Sequence, residues 1–334
     1  MSDVEFHVHS GLGRITLNRP KAINALKHDM VRAISDRLTA WQDDPGVRAV
    51  VVDGAGERGL CAGGDIRSIY EDARSGGTAS LAFWADEYRL NAQIAAYPKP
   101  YVAIMDGLVM GGGVGISAHG SHRVVTERSR VGMPEVGIGF VPDVGGTYLL
   151  SRAPGELGTH VALTTATMSG ADAIHCGFAD HFVPSDRLPD LLDALATSTP
   201  AVALATFAET PPASQLEADR PWIDECYSAD SVEEVLERLR RGGDAAFSAA
   251  KEIEIKSPTA LKVTLRSLRS PLPDLATALG QEYRVSSHAL RHPDLPEGVR
   301  AQIIDKDRSP RWQPAELSEV DDELVASFFA EVTR

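Results

Sequence analysis

Residues 132–148 read GMPEVGIGFVPDVGGTY. Two carboxylates, Glu135 and Asp143, stand there among glycine, proline and apolar residues, a setting that penalises a charge unless the charge is used. They are eight residues apart, too far for one helical turn, and Pro134 and Pro142 each precede one of them and bar regular helix. A loop or short strand is therefore expected to bring both to one pocket. The competing account is capping. Asp143 precedes Val144, Tyr148 and Leu149, which read as a first helical face and make it a candidate N-cap. Glu135 resists that account: Met133, Val136 and Ile138 surround it, and no basic residue follows Arg130 in the stretch. Apolar surroundings raise a carboxyl pKa toward the range of a general acid or base at neutral pH.

Outward from this stretch, the upstream chain alternates strand and helix. Val4, Phe6 and Val8 alternate, and Gly11 and Gly13 turn the chain into residues 14–17, which predicts an opening hairpin. Met30, Ile34, Leu38 and Trp41 share one helical face. Residues 49–52 form an all-apolar strand of the kind buried on both sides of a parallel sheet. After Asp53-Gly54 a glycine-rich loop, GAGERGLCAGGDI, leads to Asp65, the expected N-cap of a helix through Ile66 and Ile69. Residues 101–105 repeat the design, running into Asp106-Gly107 and then Gly111-Gly112-Gly113. Two strand-to-helix corners thus carry bare backbone, whose N–H groups suit an oxyanion or a phosphate. A third strand over residues 122–126 delivers the chain to the carboxylates.

Downstream, helical patterns cover residues 157–164 and 171–176, a short strand covers 181–183, and from about Leu188 the chain is a series of helices punctuated by prolines. The pattern predicts an α/β protein with a core over residues 1–187 and a helical carboxyl-terminal region over 188–334 packing on it.

The 334 residues are 43% hydrophobic and 24% charged, values of a globular protein with a sizeable core. The net charge of −14 argues against nucleic acid as a partner. The three cysteines, Cys61, Cys176 and Cys226, are widely spaced and suggest neither disulfides nor zinc, which fits a reducing cytosol. The start, MSDVEFHVHS, lacks the basic and apolar regions of a signal peptide. The most apolar run, residues 101–118, carries Asp106 and five glycines, so no membrane span is expected.

Several short patterns fail on inspection. Gly11-x-Gly13 lacks a third glycine, Thr16 standing in its place, and there is no phosphate loop ending in Gly-Lys-Ser/Thr, so no nucleotide cofactor is expected. Gly115-Ile116-Ser117-Ala118-His119 approaches a serine-hydrolase elbow, but His119 replaces the last glycine and Ser117 falls within a helix. His119 and His122 lack an acidic third ligand nearby, and no metal is expected.

Four segments in this order carry a resemblance: NRPKAINAL at 18–26, CAGGDI at 61–66, MGGGVGIS at 110–117 and MPEVGIG at 133–139. Together they resemble the crotonase (enoyl-CoA hydratase/isomerase) superfamily. The resemblance implies a ββα spiral core, an acyl-CoA substrate that brings its own coenzyme A, and an oxyanion hole formed by the main-chain N–H groups of Gly64 and Gly112. Such preorganised donors stabilise a thioester-derived oxyanion by about 3 to 4 kcal/mol each. The superfamily commonly forms homo-oligomers, trimers or pairs of trimers, but this chain's longer helical tail, residues 272–330, could instead fold over its own active site, which leaves the assembly open.

Hydratases of the superfamily use two glutamates, and the position of the first is Gly115 here, which can neither orient water nor move a proton. MPEVGIGFVPDVGGTYLL, DEYRLN at 86–91 and EYRVSSHALRHPDLPEGVRAQIIDKDRSPRW at 282–312 resemble instead the branch that hydrolyses 3-hydroxyisobutyryl-CoA in valine catabolism. On that resemblance Glu135 is the catalytic carboxylate, Asp143 holds the 3-hydroxyl or places the water, and Glu87 lines the acyl pocket. Lys21, Ala22, Ala62 and Asp65 lie along the acyl-CoA. Arg19, Lys27, Lys306 and Arg308 are further candidates for its phosphates. Thr147 and Ser151-Arg152-Ala153 depart from the bulkier apolar residues expected there, a difference read as bearing on the acyl pocket. The alternatives are an enoyl-CoA hydratase or isomerase and a non-catalytic acyl-CoA-binding protein.

Overall fold

The alternating apolar residues at the start form the expected hairpin, β1 (Val4–His9) against β2 (Leu12–Leu17), antiparallel with Val4 opposite Leu17. This is a computed structural model, and it describes residues 2–332. β2 then pairs in parallel with β3 (Ala49–Gly54), and the sheet continues in parallel through β4 (Tyr101–Met105), β6 (His122–Val125) and β8 (His181–Phe182). The strand order is β1-β2-β3-β4-β6-β8. β3 and β4 are all-apolar apart from Asp53 and Gly54, as strands covered on both faces must be. On one face Val51, Val102, Ile104 and Val124 pack with Leu188, Leu191, Leu195 and Leu204 of the helices Leu188–Thr197 and Pro200–Phe207. Met30, Ile34, Leu38 and Trp41 of the helix His28–Gln42 are all buried, as their spacing predicts.

A second sheet is absent from the sequence reading. The chain does not simply turn at Asp106-Gly107: Gly107 takes φ 67° and releases a new strand, β5 (Leu108–Met110), which pairs in parallel with β7 (Arg130–Gly132). Three-residue strands are too short to show a period of two. Asp106 braces this corner, accepting from Thr126 Oγ1 at 2.7 Å and from Arg128 Nη2 at 2.6 Å.

By its contacts the chain divides into two units that interleave in sequence. One runs through Gly64, Asp86–Gly132 and Thr167–Gln215, and holds both sheets. The other comprises Asp65–Ala85, Met133–Ala166 and the chain from Leu216, and is helical. Within the second, Glu135 opens a 3-10 turn, Glu135–Ile138, a loop over residues 139–145 carries Asp143 as expected, and the helix Gly146–Leu150 follows where Tyr148 and Leu149 predicted a helical face. Trp84 stacks on Phe140 at 5.2 Å between ring centroids, joining the segments Asp65–Ala85 and Met133–Ala166 of this unit.

Candidate active site

In the sheet-bearing unit the two glycine corners lie side by side. Cys61 N–H donates to Leu108 O at 3.1 Å and Met110 N–H to Cys61 O at 2.9 Å, so the first loop runs along β5. The loop is also fastened to residues 18–26: Leu26 N–H donates to Gly63 O at 2.8 Å and Ala62 N–H to Ile23 O at 2.9 Å. Asn24, fully buried, organises this fastening, its Nδ2 donating to Ala55 O and Gly59 O and its Oδ1 accepting from Arg19 N–H.

The result is a tight approach of backbone to backbone. A Cβ built on Gly112 would lie 3.3 Å from Gly64 N and 2.6 Å from Glu87 Oε1. Only glycine fits there. Gly112 opens the helix Gly112–Ser117, a position whose N–H has no acceptor within its own helix. Gly64, Gly112 and Glu87, three of the expected site residues, are thus neighbours. Glu87 is 2% exposed. Gly115 is buried in the same short helix and brings no carboxylate, and Ser117 Oγ is occupied with Gly113 O at 2.6 Å.

The other residues expected along the ligand are more peripheral. Lys21 and Ala22 are exposed on a 3-10 turn, Pro20–Ala22, held from behind by Arg58 Nη2 on Lys21 O at 2.7 Å. Ala62 is half-buried. Asp65 occupies the N-cap position of the helix Ile66–Ser75, but through its carbonyl and not through a side-chain cap bond. Lys27 is paired with Asp3 at 2.8 Å, and Arg19 lies 3.9 Å from the same carboxylate.

In the helical unit, Glu135 and Asp143 are 6% and 5% exposed. Glu135 opens its 3-10 turn and accepts on its carbonyl from Phe140 N–H at 3.0 Å. The turn is pressed onto the helix Asp294–Val299: a Cβ on Gly139 would lie 2.3 Å from Asp294 O, and one on Gly298 would lie 2.3 Å from Ile138 O. Asp294 is itself nearly inaccessible and accepts from Ser257 Oγ at 2.5 Å and Gln313 N–H at 2.7 Å, tying three segments together. Burial raises its pKa to about 6.

Asp143 is not an N-cap. The cap position belongs to Gly145, and the acceptor is Glu282, from the helix Leu275–Ala289. Its Oε2 accepts from Gly145 N–H at 2.6 Å, and its Oε1 from Thr147 N–H at 2.9 Å and from the Thr147 hydroxyl. The Thr147 hydroxyl thus serves a buried carboxyl. Burial, reinforced by the Asp143 charge and opposed by the three hydrogen bonds, raises the Glu282 pKa to about 8. Glu282 and Asp294 both lie in the 282–312 segment that carries part of the resemblance, but nothing in that segment marks either as a support for the carboxylates. The available signal was a carboxylate on the buried face of a helix, Glu282 in register with Ala278, Val285 and Ala289.

The family model for enoyl-CoA hydratase/isomerase matches residues 12–329. The chain belongs to that family. It is 41% identical, over 98% of this chain and 89% of the relative, to a protein of Gallus gallus named 3-hydroxyisobutyryl-CoA hydrolase, mitochondrial. The human protein of the same name is 43% identical over 95% of this chain and 86% of the relative. A solved structure described as a carnitinyl-CoA dehydratase from Mycobacterium thermoresistibile is 55% identical, with a TM-score of 0.97, over 99% of this chain and 97% of that one. With such neighbours the α/β, crotonase-like fold expected from the four segments stands.

The cytosolic location expected from the cysteines is not confirmed, since both hydrolases carry "mitochondrial" in their names. Its physical basis was weak, because three reduced, buried thiols are compatible with any reducing compartment. Among the described residues no helix is long and apolar enough to cross a membrane, and no cluster of acidic, histidine or cysteine side chains is placed to hold a metal ion.

Proposed function

We propose that this protein hydrolyses the thioester of a short 3-hydroxyacyl-CoA, with 3-hydroxyisobutyryl-CoA as the leading substrate. The observation that carries the reading is the carboxylate inventory. Glu135 and Asp143 are both present and buried, while the helix after the triple glycine offers Gly115 where a hydratase needs its first glutamate. The names of the relatives from Gallus gallus and Homo sapiens support the same substrate.

On this reading the Gly64 and Gly112 amides receive the thioester oxygen as it gains charge. Glu135 either attacks the thioester carbon, giving an anhydride that water then opens to release the acid and restore the carboxylate, or takes the proton from a water that attacks directly; on both routes the carbon–sulfur bond breaks and the departing thiolate takes up the proton that the water gives up. Asp143 takes the substrate's 3-hydroxyl. A buried carboxylate built for that hydroxyl is left unsolvated when the hydroxyl is missing, so plain acyl-CoAs are poor substrates. Coenzyme A enters as part of the substrate.

A second reading has an observation of its own. Glu87 holds its carboxylate at Gly112, where it stands in for the glutamate missing at Gly115 on this reading, and the solved structure at 55% identity is described as a dehydratase. The two readings separate in one experiment. Thiol release from 3-hydroxyisobutyryl-CoA and loss of enoyl absorbance from crotonyl-CoA are followed with wild type and Glu135→Gln. The hydrolase reading expects fast thiol release that the variant loses, and little hydration. Fast hydration without thiol release would replace it with the dehydratase reading.

A further inference from the structure

We infer that Glu282 is a positioning residue that sets the aim of Asp143 by holding the turn on which Asp143 stands. The inference rests on the role proposed above for Asp143.

The turn is not one that the backbone adopts for itself. Val144, next to Asp143, has φ 53°, and Gly145 has φ 80°. Glycine tolerates the left-handed region, but a β-branched residue there is an outlier, disfavoured by steric contact between its Cβ and the following carbonyl. Pro142 fixes the other side of Asp143. Locally the turn closes through Gly146 N–H on Asp143 O at 2.6 Å. Glu282 holds it from outside, its two oxygens taking Gly145 N–H, Thr147 N–H and the Thr147 hydroxyl. Gly145 and Thr147 lie two and four residues beyond Asp143, so a rotation about Val144 cannot occur while those bonds are kept.

A cap on a five-residue helix would not by itself need a carboxyl buried to 2% exposure. Serine or asparagine at the cap position does that work at lower desolvation cost. Here the acceptor comes from 135 and 137 residues away. The site also fits a group that can be neutral. Burial and the Asp143 charge hold the Glu282 carboxyl largely protonated at neutral pH, which avoids a second negative charge beside Asp143. Thr147 Oγ1 can accept that proton as readily as it donates.

The test is a double-mutant cycle on the full chain: wild type, Asp143→Asn, Glu282→Gln and the double variant. kcat and KM are read by thiol release from 3-hydroxyisobutyryl-CoA, with thermal unfolding measured beside them. Glutamine keeps the shape but only one acceptor. Glu282→Gln is expected to lower kcat about 10- to 100-fold, the size of a small misplacement of a reacting group, with KM within about threefold. In the Asp143→Asn background the same change is expected to lower kcat less than about threefold, since its target is already gone.

Equal effects in both backgrounds, or no effect of Glu282→Gln in wild type, would overturn the inference. Should Glu282→Gln fail to fold, Thr147→Val removes one donor and keeps the packing. It is expected to cost about three- to tenfold in kcat with the same loss of effect beside Asp143→Asn. A wild type that releases no thiol but hydrates crotonyl-CoA would defeat the proposed function instead, and the cycle read by enoyl absorbance would still decide the role of Glu282.

Discussion

Asp294 is a carboxyl group whose surroundings work against its charge. It accepts from Ser257 Oγ and Gln313 N–H, yet desolvation outweighs both, with Glu297 adding like-charge repulsion, and the pKa rises from 3.8 to about 6. A folded-state pKa above the unfolded one means that the native protein binds more protons between about pH 4 and pH 6, so this group's contribution to stability falls as pH rises through that window. A shift of roughly two units corresponds to about 3 kcal/mol. Asp294→Asn removes the titration. Urea unfolding of wild type and variant across pH is therefore expected to show the variant gaining about 3 kcal/mol on wild type from pH 4 to pH 7. A difference that stays flat with pH would mean that Asp294 ionises normally.

At the scale of elements, the packing of the 3-10 turn Glu135–Ile138 on the helix Asp294–Val299 depends on glycine. Gly139 combines φ 70° with a Cβ position 2.3 Å from Asp294 O, whereas Gly76, at φ 66°, has nothing within 4 Å of its own. Alanine at Gly76 is expected to cost about 1 kcal/mol, the backbone strain alone. Alanine at Gly139 adds an overpacking cost of about 1 to 3 kcal/mol and pushes the Glu135 turn outward. Equal losses in chemical denaturation would show that the collision relaxes freely. Glu135 and Asp143 were legible in the sequence because each is a charge in apolar company. Their supports were not, because Glu282 and Asp294 act over distances along the chain that no local pattern records, and because Asp143, two residues before the cap position at Gly145, offered a closer and mistaken explanation of the helix start.

For the whole molecule, the strands that fill the main sheet were legible because burial on both faces leaves an all-apolar run, as in β3 and β4. β5 and β7 were not, being three residues each and paired with each other, with the loop at Cys61 and with Met168. The net charge of −14 is a property of no single element, and it has a kinetic consequence. An acyl-CoA carries phosphate groups and is itself polyanionic, so the two repel at long range. Arg19 and Lys27 do little to offset this, since Asp3 lies against both. The Debye length shrinks from about 30 Å at 0.01 M salt to about 8 Å at 0.15 M, which screens repulsion between whole molecules while leaving contacts in the bound complex largely intact. kcat/KM for the thioester is therefore expected to rise severalfold over that range with kcat nearly constant. A fall would mean that local cations outweigh the overall charge. Lys21, exposed on its turn, is the first to test, and Lys21→Ala would then be expected to turn the fall into a rise.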